Sequence, residues 1–239
     1  GCIAQTRPMN PSSPFIPEAV FFDLDGTLAD TAEDLSAPVN AMREARGLAP
    51  LPVSELRPYV SRGARGLIGR AFGLQPEDEG YEAMRVEFLE RYEQGLVIHT
   101  RLFDGMGEVL EALDAAGIQW GVVSNKAERL VIPVLAGLGL SARSATAVCG
   151  DTTPHAKPHP APLLHAANLA QVTPNRCVYV GDDRRDIQAS DAAGMFSIAA
   201  GWGFYDASEP PETWGAGAVA DAPARLKAWL DLTGATPRR

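Results

Sequence analysis

The sequence predicts an α/β fold: a doubly wound parallel sheet, Rossmann-like, with an all-helical subdomain inserted after its first strand. Three observations carry this prediction. Five short apolar runs recur along the 239 residues. Helical patterns separate most of them. Polar residues with chemical capability follow four of the runs directly.

The runs are Ala19–Phe22, Gln119–Val123, Ala147–Cys149, Cys177–Val180 and Phe196–Ala200. Each is too short and too uniformly apolar for an amphipathic helix. Continuous apolar runs suit strands covered on both faces, as in a parallel sheet. Between them lie helical patterns at 108–116, 127–138, 160–170 and 184–193. Glycine stops the first, and Pro133 is a local irregularity in the second. Alternation of this kind winds a parallel sheet with right-handed crossovers.

One interval breaks the rhythm. About ninety residues separate the first two strands, too many for one crossover helix. Thr31-Ala32-Glu33-Asp34 reads as a capping box opening a helix that carries Leu35, Val39 and Met42 on one face. Further helical patterns cover 54–60, 64–72 and a stretch carrying Tyr81, Met84 and Phe88. The expected division is a helical subdomain over 31–99, a core over 19–30 and 100–239, and a poorly ordered leader over 1–18. The connections near Asp30 and Thr100 are expected to hinge.

Composition narrows the function classes. Lys and Arg number 21 and Asp and Glu 30, giving a net charge of −9. Such a chain is unsuited to wrapping nucleic acid or to a polybasic membrane contact, both of which need clustered cations. No apolar stretch reaches the roughly 18–20 residues that span a bilayer. Three cysteines make no disulfide framework. Residues 1–17 hold no apolar core of a secretory signal. The expectation is therefore a cytoplasmic protein with a small-molecule partner and no nucleic-acid or membrane partner; its oligomeric state is open.

In an open α/β sheet, ligands bind beyond the carboxyl ends of the strands. At that edge the first strand runs into Asp23-Leu24-Asp25-Gly26-Thr27, and the second into Ser124-Asn125-Lys126. The third runs into Gly150-Asp151, with Lys157 soon after, and the fourth into Gly181-Asp182-Asp183. In extended backbone Asp23 and Asp25 point the same way. Two close carboxylates raise each other's pKa unless a cation intervenes. A hard divalent cation with oxygen ligands resolves the conflict, and magnesium is the usual partner of phosphate. Thr27 offers a hydroxyl and an N–H to phosphate. Taken alone, Asp-Gly is a turn, Ser-Asn a helix cap and Lys157 a surface charge. Asp182 and Asp186 share a helix face, or else simply complement a helix dipole.

Together these segments resemble the haloacid-dehalogenase superfamily, over nearly the whole chain after the leader. Asp23-Leu24-Asp25-Gly26-Thr27-Leu28, Ser124-Asn125-Lys126, Lys157-Pro158 and Gly181-Asp182-Asp183-Arg184-Arg185-Asp186 match its four ordered motifs. The helical insertion is similar to the superfamily's C1-type cap. Within it, Gly150-Asp151-Thr152 and Lys157–Leu163 are most similar to phosphoglycolate phosphatases. Gly201-Trp202-Gly203-Phe204-Tyr205 and Trp214-Gly215-Ala216 are similar to phosphatases of N-acetylmuramic acid 6-phosphate.

The resemblance implies a magnesium-dependent phosphatase acting through an aspartyl phosphate. Asp23 is then the nucleophile and Asp25 the acid and base. Magnesium is held by Asp23, the Asp25 carbonyl and Asp182, with Asp186 behind them. Thr27, Ser124, Asn125 and Lys157 hold phosphoryl oxygens. Arg62, Gly63 and Arg65 are candidates for substrate selection, since arginine binds carboxylates bidentately, although solvated charge reads as well there. The leading substrate is 2-phosphoglycolate and the alternative N-acetylmuramic acid 6-phosphate. A sugar-phosphate mutase and a non-catalytic phosphate-binding module share the core.

Overall fold

A computed structural model of the protein describes residues 15–144 and 146–232. Most of the predicted leader, residues 1–14, lies outside the described residues. Phe15 packs beside the core, and the Glu18 N–H donates to the Arg176 carbonyl at 2.9 Å.

Strands β1 (Ala19–Phe22), β4 (Gln119–Val123), β5 (Ala147–Val148), β6 (Cys177–Gly181), β7 (Phe196–Ala200) and β8 (Ala218–Ala220) form one sheet. Its order is β5-β4-β1-β6-β7-β8, and every neighbouring pair is parallel. β1 therefore sits where the strand order reverses, between β4 and β6. A crevice at that point opens beyond its carboxyl end, where Asp23 stands.

Alternation along the strands divides the core into two layers. Val20, Phe22, Val122 and Val180 pack under α5 (Met106–Ala115), α6 (Glu128–Gly137) and α9 (Pro223–Leu232). Phe21, Val123 and Tyr179 pack under α7 (Ala161–Ala170) and α8 (Arg184–Ala193). β8 and α9, which the sequence reading omits, complete the edge of the sheet.

The long interval holds α1 (Ala32–Ala45), α2 (Val53–Leu56), a 3₁₀ turn over Arg57–Arg62, α3 (Gly63–Phe72) and α4 (Tyr81–Glu93). They bury a separate cluster that includes Leu35, Met42, Leu67 and Phe88. The two connections run side by side as β2 (Ala29–Asp30) and β3 (Arg101–Leu102), antiparallel.

The capping box expected at Thr31 is absent. The Thr31 hydroxyl instead donates to Asp25 Oδ1 at 2.7 Å. Asp34 accepts from the N–H groups of Ile98, His99 and Thr100, tying the start of α1 to the returning chain. Tertiary partners have taken both side chains from the local pattern. A capping box does form at α8, where Asp183 accepts from Arg185 N and Asp186 from Asp183 N.

Candidate active site

Asp23 leaves β1 at the reversal point with its main-chain N–H bonded to the Val180 carbonyl. One carboxylate oxygen accepts from Leu24 N at 2.8 Å and lies 3.2 Å from Lys157 Nζ. Beyond it the chain turns at Gly26, whose φ is +81°. A side chain there would strike the Asp182 carboxylate, since a Cβ would lie 2.0 Å from its Oδ2. Glycine is thus required on both conformational and steric grounds.

Asp182 is fully buried. Its oxygens accept from Thr27 Oγ1 at 3.2 Å, Ser61 Oγ at 2.6 Å and Phe204 N at 2.8 Å. Asp186, also buried, accepts from Lys157 Nζ at 2.7 Å. Lys157 donates further to Tyr179 Oη and the Val123 carbonyl, which hold its ammonium at the cleft floor between Asp186 and Asp23.

The ligand atoms of Asp23, Asp182 and Asp186 lie within 4.8 Å of one another. One lysine cannot neutralise three buried carboxylates. Burial, reinforced by Asp186 and opposed by Lys157, pushes Asp23 up to about 7. Burial, with Asp23 and Asp186, pushes Asp182 well above the carboxylate range, against the Ser61 and Phe204 bonds. Burial works against the Lys157 charge, yet Asp186 and Asp23 outweigh it and hold its pKa high. An oxygen-lined, negatively charged cluster of this kind suits a hard divalent cation.

Asp25 points into the same cavity. Its Oδ1 accepts from the Thr31 hydroxyl and from Lys126 Nζ at 2.9 Å. Lys126 is held from the other side by the Tyr92 hydroxyl of α4, at 2.5 Å. Burial opposes its charge, but Asp25 and Tyr92 more than compensate.

The cavity measures roughly 450 Å³. Its floor is Asp23, Asp25, Ser124, Asn125, Lys157 and Asp186. Its opposite wall, from the helical insertion, carries Val60, Ser61, Arg62, Gly63, Phe88 and Tyr92.

Two candidates are used differently from expectation. The Thr27 hydroxyl is fully buried against Asp182 and does not line the cavity. Asn125 spends its side chain on the Lys157 backbone, donating to the carbonyl and accepting from the N–H, both at 2.9 Å. It therefore positions Lys157. Arg62 and Gly63 face the cavity; Arg65 does not, and lines a second cleft with Arg62, Tyr59, Tyr205 and Trp214. Arg65 stands on α3, as the helical pattern over 64–72 predicts. Asp151 accepts from Glu128 N at the start of α6, away from the site.

Ser61, Tyr92, Lys126, Tyr179 and Arg185 were missed as site residues. Lys126 and Arg185 stand inside recognised motifs. Tyr179 has a weaker signal, a hydroxyl in an otherwise apolar strand. Ser61 and Tyr92 have none, because they reach the site through tertiary structure alone.

The sequence profile of the haloacid dehalogenase-like hydrolases matches residues 20–200, so the chain belongs to that family. It is one of the family's phosphatases, as its relatives make plain. It is 41% identical over 213 residues to the N-acetylmuramic acid 6-phosphate phosphatase of Pseudomonas putida, covering 89% of this chain and 96% of that one. It is 46% identical over 210 residues to the phosphoglycolate phosphatase of Xanthomonas campestris pv. campestris, covering 88% and 95%. A crystal structure of a predicted phosphoglycolate phosphatase from Haemophilus somnus 129pt superposes with a TM-score of 0.78 at 26% identity, covering 91% and 98%. No helix among the described residues is long and apolar enough to cross a membrane.

Proposed function

We propose that the protein hydrolyses the phosphate monoester of a small carboxylate-bearing metabolite, with Asp23 as nucleophile and magnesium as cofactor. The observation that carries this reading is the buried group of Asp23, Asp182 and Asp186, with Lys157 as its ammonium partner. Three buried carboxylates and one cation leave a negative excess that a divalent ion would offset.

One Asp23 oxygen is engaged by Leu24 N–H and Lys157, which leaves the other to attack phosphorus in line. The bond from phosphorus to the ester oxygen breaks, and an acyl phosphate forms on Asp23. Asp25 gives its proton to the leaving alkoxide, then as a carboxylate takes one from water. That water attacks the acyl phosphate, releasing inorganic phosphate and restoring Asp23. Lys126 and Thr31 hold Asp25 in place for both transfers. Lys157 keeps the attacking carboxylate oriented, and Asn125 fixes Lys157. Ser124, whose side chain lines the cavity, would hold a phosphoryl oxygen. Asp23, Asp182 and the Asp25 carbonyl would hold magnesium with Asp186 behind, and the bound ion would neutralise charge on the phosphoryl group.

The helical insertion serves as the cap that selects the substrate, with Arg62 meeting the substrate carboxylate. For substrate, 2-phosphoglycolate is the first reading, supported by the relatives bearing that activity. N-acetylmuramic acid 6-phosphate is the second, favoured by a cavity of roughly 450 Å³ whose wall includes Val60, Phe88, Leu89 and Leu130. That volume lies in the range of ligands far larger than glycolate. Phosphate release should be measured from both esters, with magnesium and with chelator. Turnover of one ester at least about tenfold above the other, and lost on chelation, is expected. Equal, poor turnover of both would refute the substrate assignment.

A further inference from the structure

The second cleft, between the helical insertion and the core, measures roughly 650 Å³. Its lining gathers Arg62, Arg65, Arg70, Arg184 and Arg185, five of the 21 Lys and Arg residues of a chain whose net charge is −9. The first three come from the 3₁₀ turn and α3, the last two from the start of α8 on the core. Folding therefore brings like charges together from segments remote in sequence, at an electrostatic cost.

Part of that charge is answered within the protein. Arg185 Nε bonds Asp183 at 2.8 Å, and Arg70 Nη2 bonds Glu55 at 2.7 Å. Arg62, Arg65 and Arg184 are different. None of them forms an ion pair among the described residues, and of the three only Arg184 finds an acceptor, Thr213 Oγ1 at a marginal 3.5 Å. Asp206 lines the same cleft but accepts from Ser208 N at 2.9 Å. The aromatic residues beside them offer surface rather than polar partners. Tyr205 and Trp214 meet edge to face with ring centroids 5.8 Å apart. The Tyr205 hydroxyl donates to the Gly201 carbonyl and the Trp214 ring N–H to the Glu209 carbonyl.

We propose that the second cleft is a binding site for a phosphate group, free or carried on a small organic molecule, held by Arg62, Arg65 and Arg184. Planar guanidinium groups match the paired oxygens of phosphate, and these three have no carboxylate partner to give up. Only Arg62 and Arg185 line both the cleft and the catalytic cavity, and Arg185 Nη2 bonds the Ser61 carbonyl in the wall between them at 3.2 Å. The catalytic floor is a contrasting host. Its cations Lys126 and Lys157 are already paired with Asp25, Asp23 and Asp186, so without a divalent ion it disfavours a dianion.

Inorganic phosphate should be titrated calorimetrically into the full chain at low ionic strength, after divalent ions are stripped and the chelator is dialysed away. Wild type should be compared with Arg65→Ala, Arg65→Lys, Arg184→Ala and Arg85→Ala; Arg85 lines the catalytic cavity and not the cleft. Wild type and Arg85→Ala are expected to bind one phosphate with equal affinity, and their thermal midpoints to rise with phosphate. Arg65→Ala and Arg184→Ala should each bind about tenfold more weakly, with a smaller rise in midpoint. Arg65→Lys, which keeps the charge but loses the fork, should fall between. Added sodium chloride should weaken binding to wild type. Phenylphosphonate, with an aromatic ring and no hydrolysable ester, distinguishes the two sources within the supported site. Tighter binding than phosphate identifies an organic phosphate as the occupant, and equal or weaker binding identifies free phosphate. Wild-type affinity in Arg65→Ala and Arg184→Ala, weakened binding in Arg85→Ala, or no binding of phosphate by wild type would each overturn the proposal.

Discussion

The floor and the wall of the cavity handle charge in opposite ways. On the floor, Lys157 is 5% exposed and Asp182 and Asp186 scarcely touch solvent, and each is bonded on several sides. On the wall, Arg62 is exposed, and Arg85 pairs with Glu82 at side-chain exposures of 40% and 70%. Buried ionised groups are tolerated only when fully partnered, so folding itself fixes their positions. Exposed pairs contribute about 0–1 kcal/mol and constrain little. The floor is therefore suited to a chemical step that does not vary, and the wall to recognition that can.

The sharpest way to break this comparison is at Asp23. Asp23→Asn is expected to cut phosphate release by at least about four orders of magnitude, because the proposed nucleophile is lost and nothing replaces it. The fold should survive. Burial and Asp186 raise the Asp23 pKa to about 7, so the ionised form is disfavoured in the folded state. A carboxylate raised in this way contributes stability that is full at pH below about 4 and is lost as pH rises through about 7. In chelator, the wild-type thermal midpoint should therefore fall between pH 5 and pH 8 by more than that of Asp23→Asn. Parallel slopes, or a variant with residual activity near wild type, would sink the assignment.

Next in size is the contrast between a floor lysine and a wall arginine. Lys157→Met leaves Asp23 and Asp186 without their counter-charge and should cost about 3–5 kcal/mol of stability. Added divalent cation should restore part of that loss. Arg85→Met removes an exposed pair and should change stability by no more than about 0.5 kcal/mol. Denaturant unfolding of both variants, with and without magnesium, measures the difference. Similar losses would mean that the floor is no more tightly determined than the wall.

The same division explains what could be read from the sequence. β1, β4 and β7 stand at the expected residues because buried strands must be apolar throughout. β8, Ala-Val-Ala among glycines, has too little hydrophobic contrast to stand out, and two-residue β2 and β3 exist only through each other. The floor was legible because Asp23, Asp25, Lys157, Asp182 and Asp186 each follow a strand within a spaced motif. Residue type was less informative about partner. Thr27 and Asn125 were expected on phosphate, but their side chains are bonded to Asp182 and the Lys157 backbone, because a buried charged cluster needs internal donors first. The Thr31–Asp34 pattern failed for the same reason: tertiary acceptors and donors outcompeted a local cap. Ser61 and Tyr92 come from elements remote in sequence, and no spacing encodes their approach.

The smallest expected effect lies within the wall itself. Arg62 and Arg65 are three residues apart and both line the second cleft, but only Arg62 also reaches the first cavity. Arg62 lines the catalytic cavity, and Arg65 only the cleft beside Tyr205 and Trp214. If the cavity wall reads the substrate carboxylate, Arg62→Ala should raise KM about tenfold with kcat little changed, the signature of lost uniform binding. Arg65→Ala should stay within about twofold, as a substitution of exposed charge distant from the ligand. p-Nitrophenyl phosphate, which has no carboxylate, should be turned over equally well by both variants and wild type. A larger KM effect from Arg65→Ala than from Arg62→Ala would move selection to the second cleft, and with it the boundary between fixed chemistry and adjustable recognition.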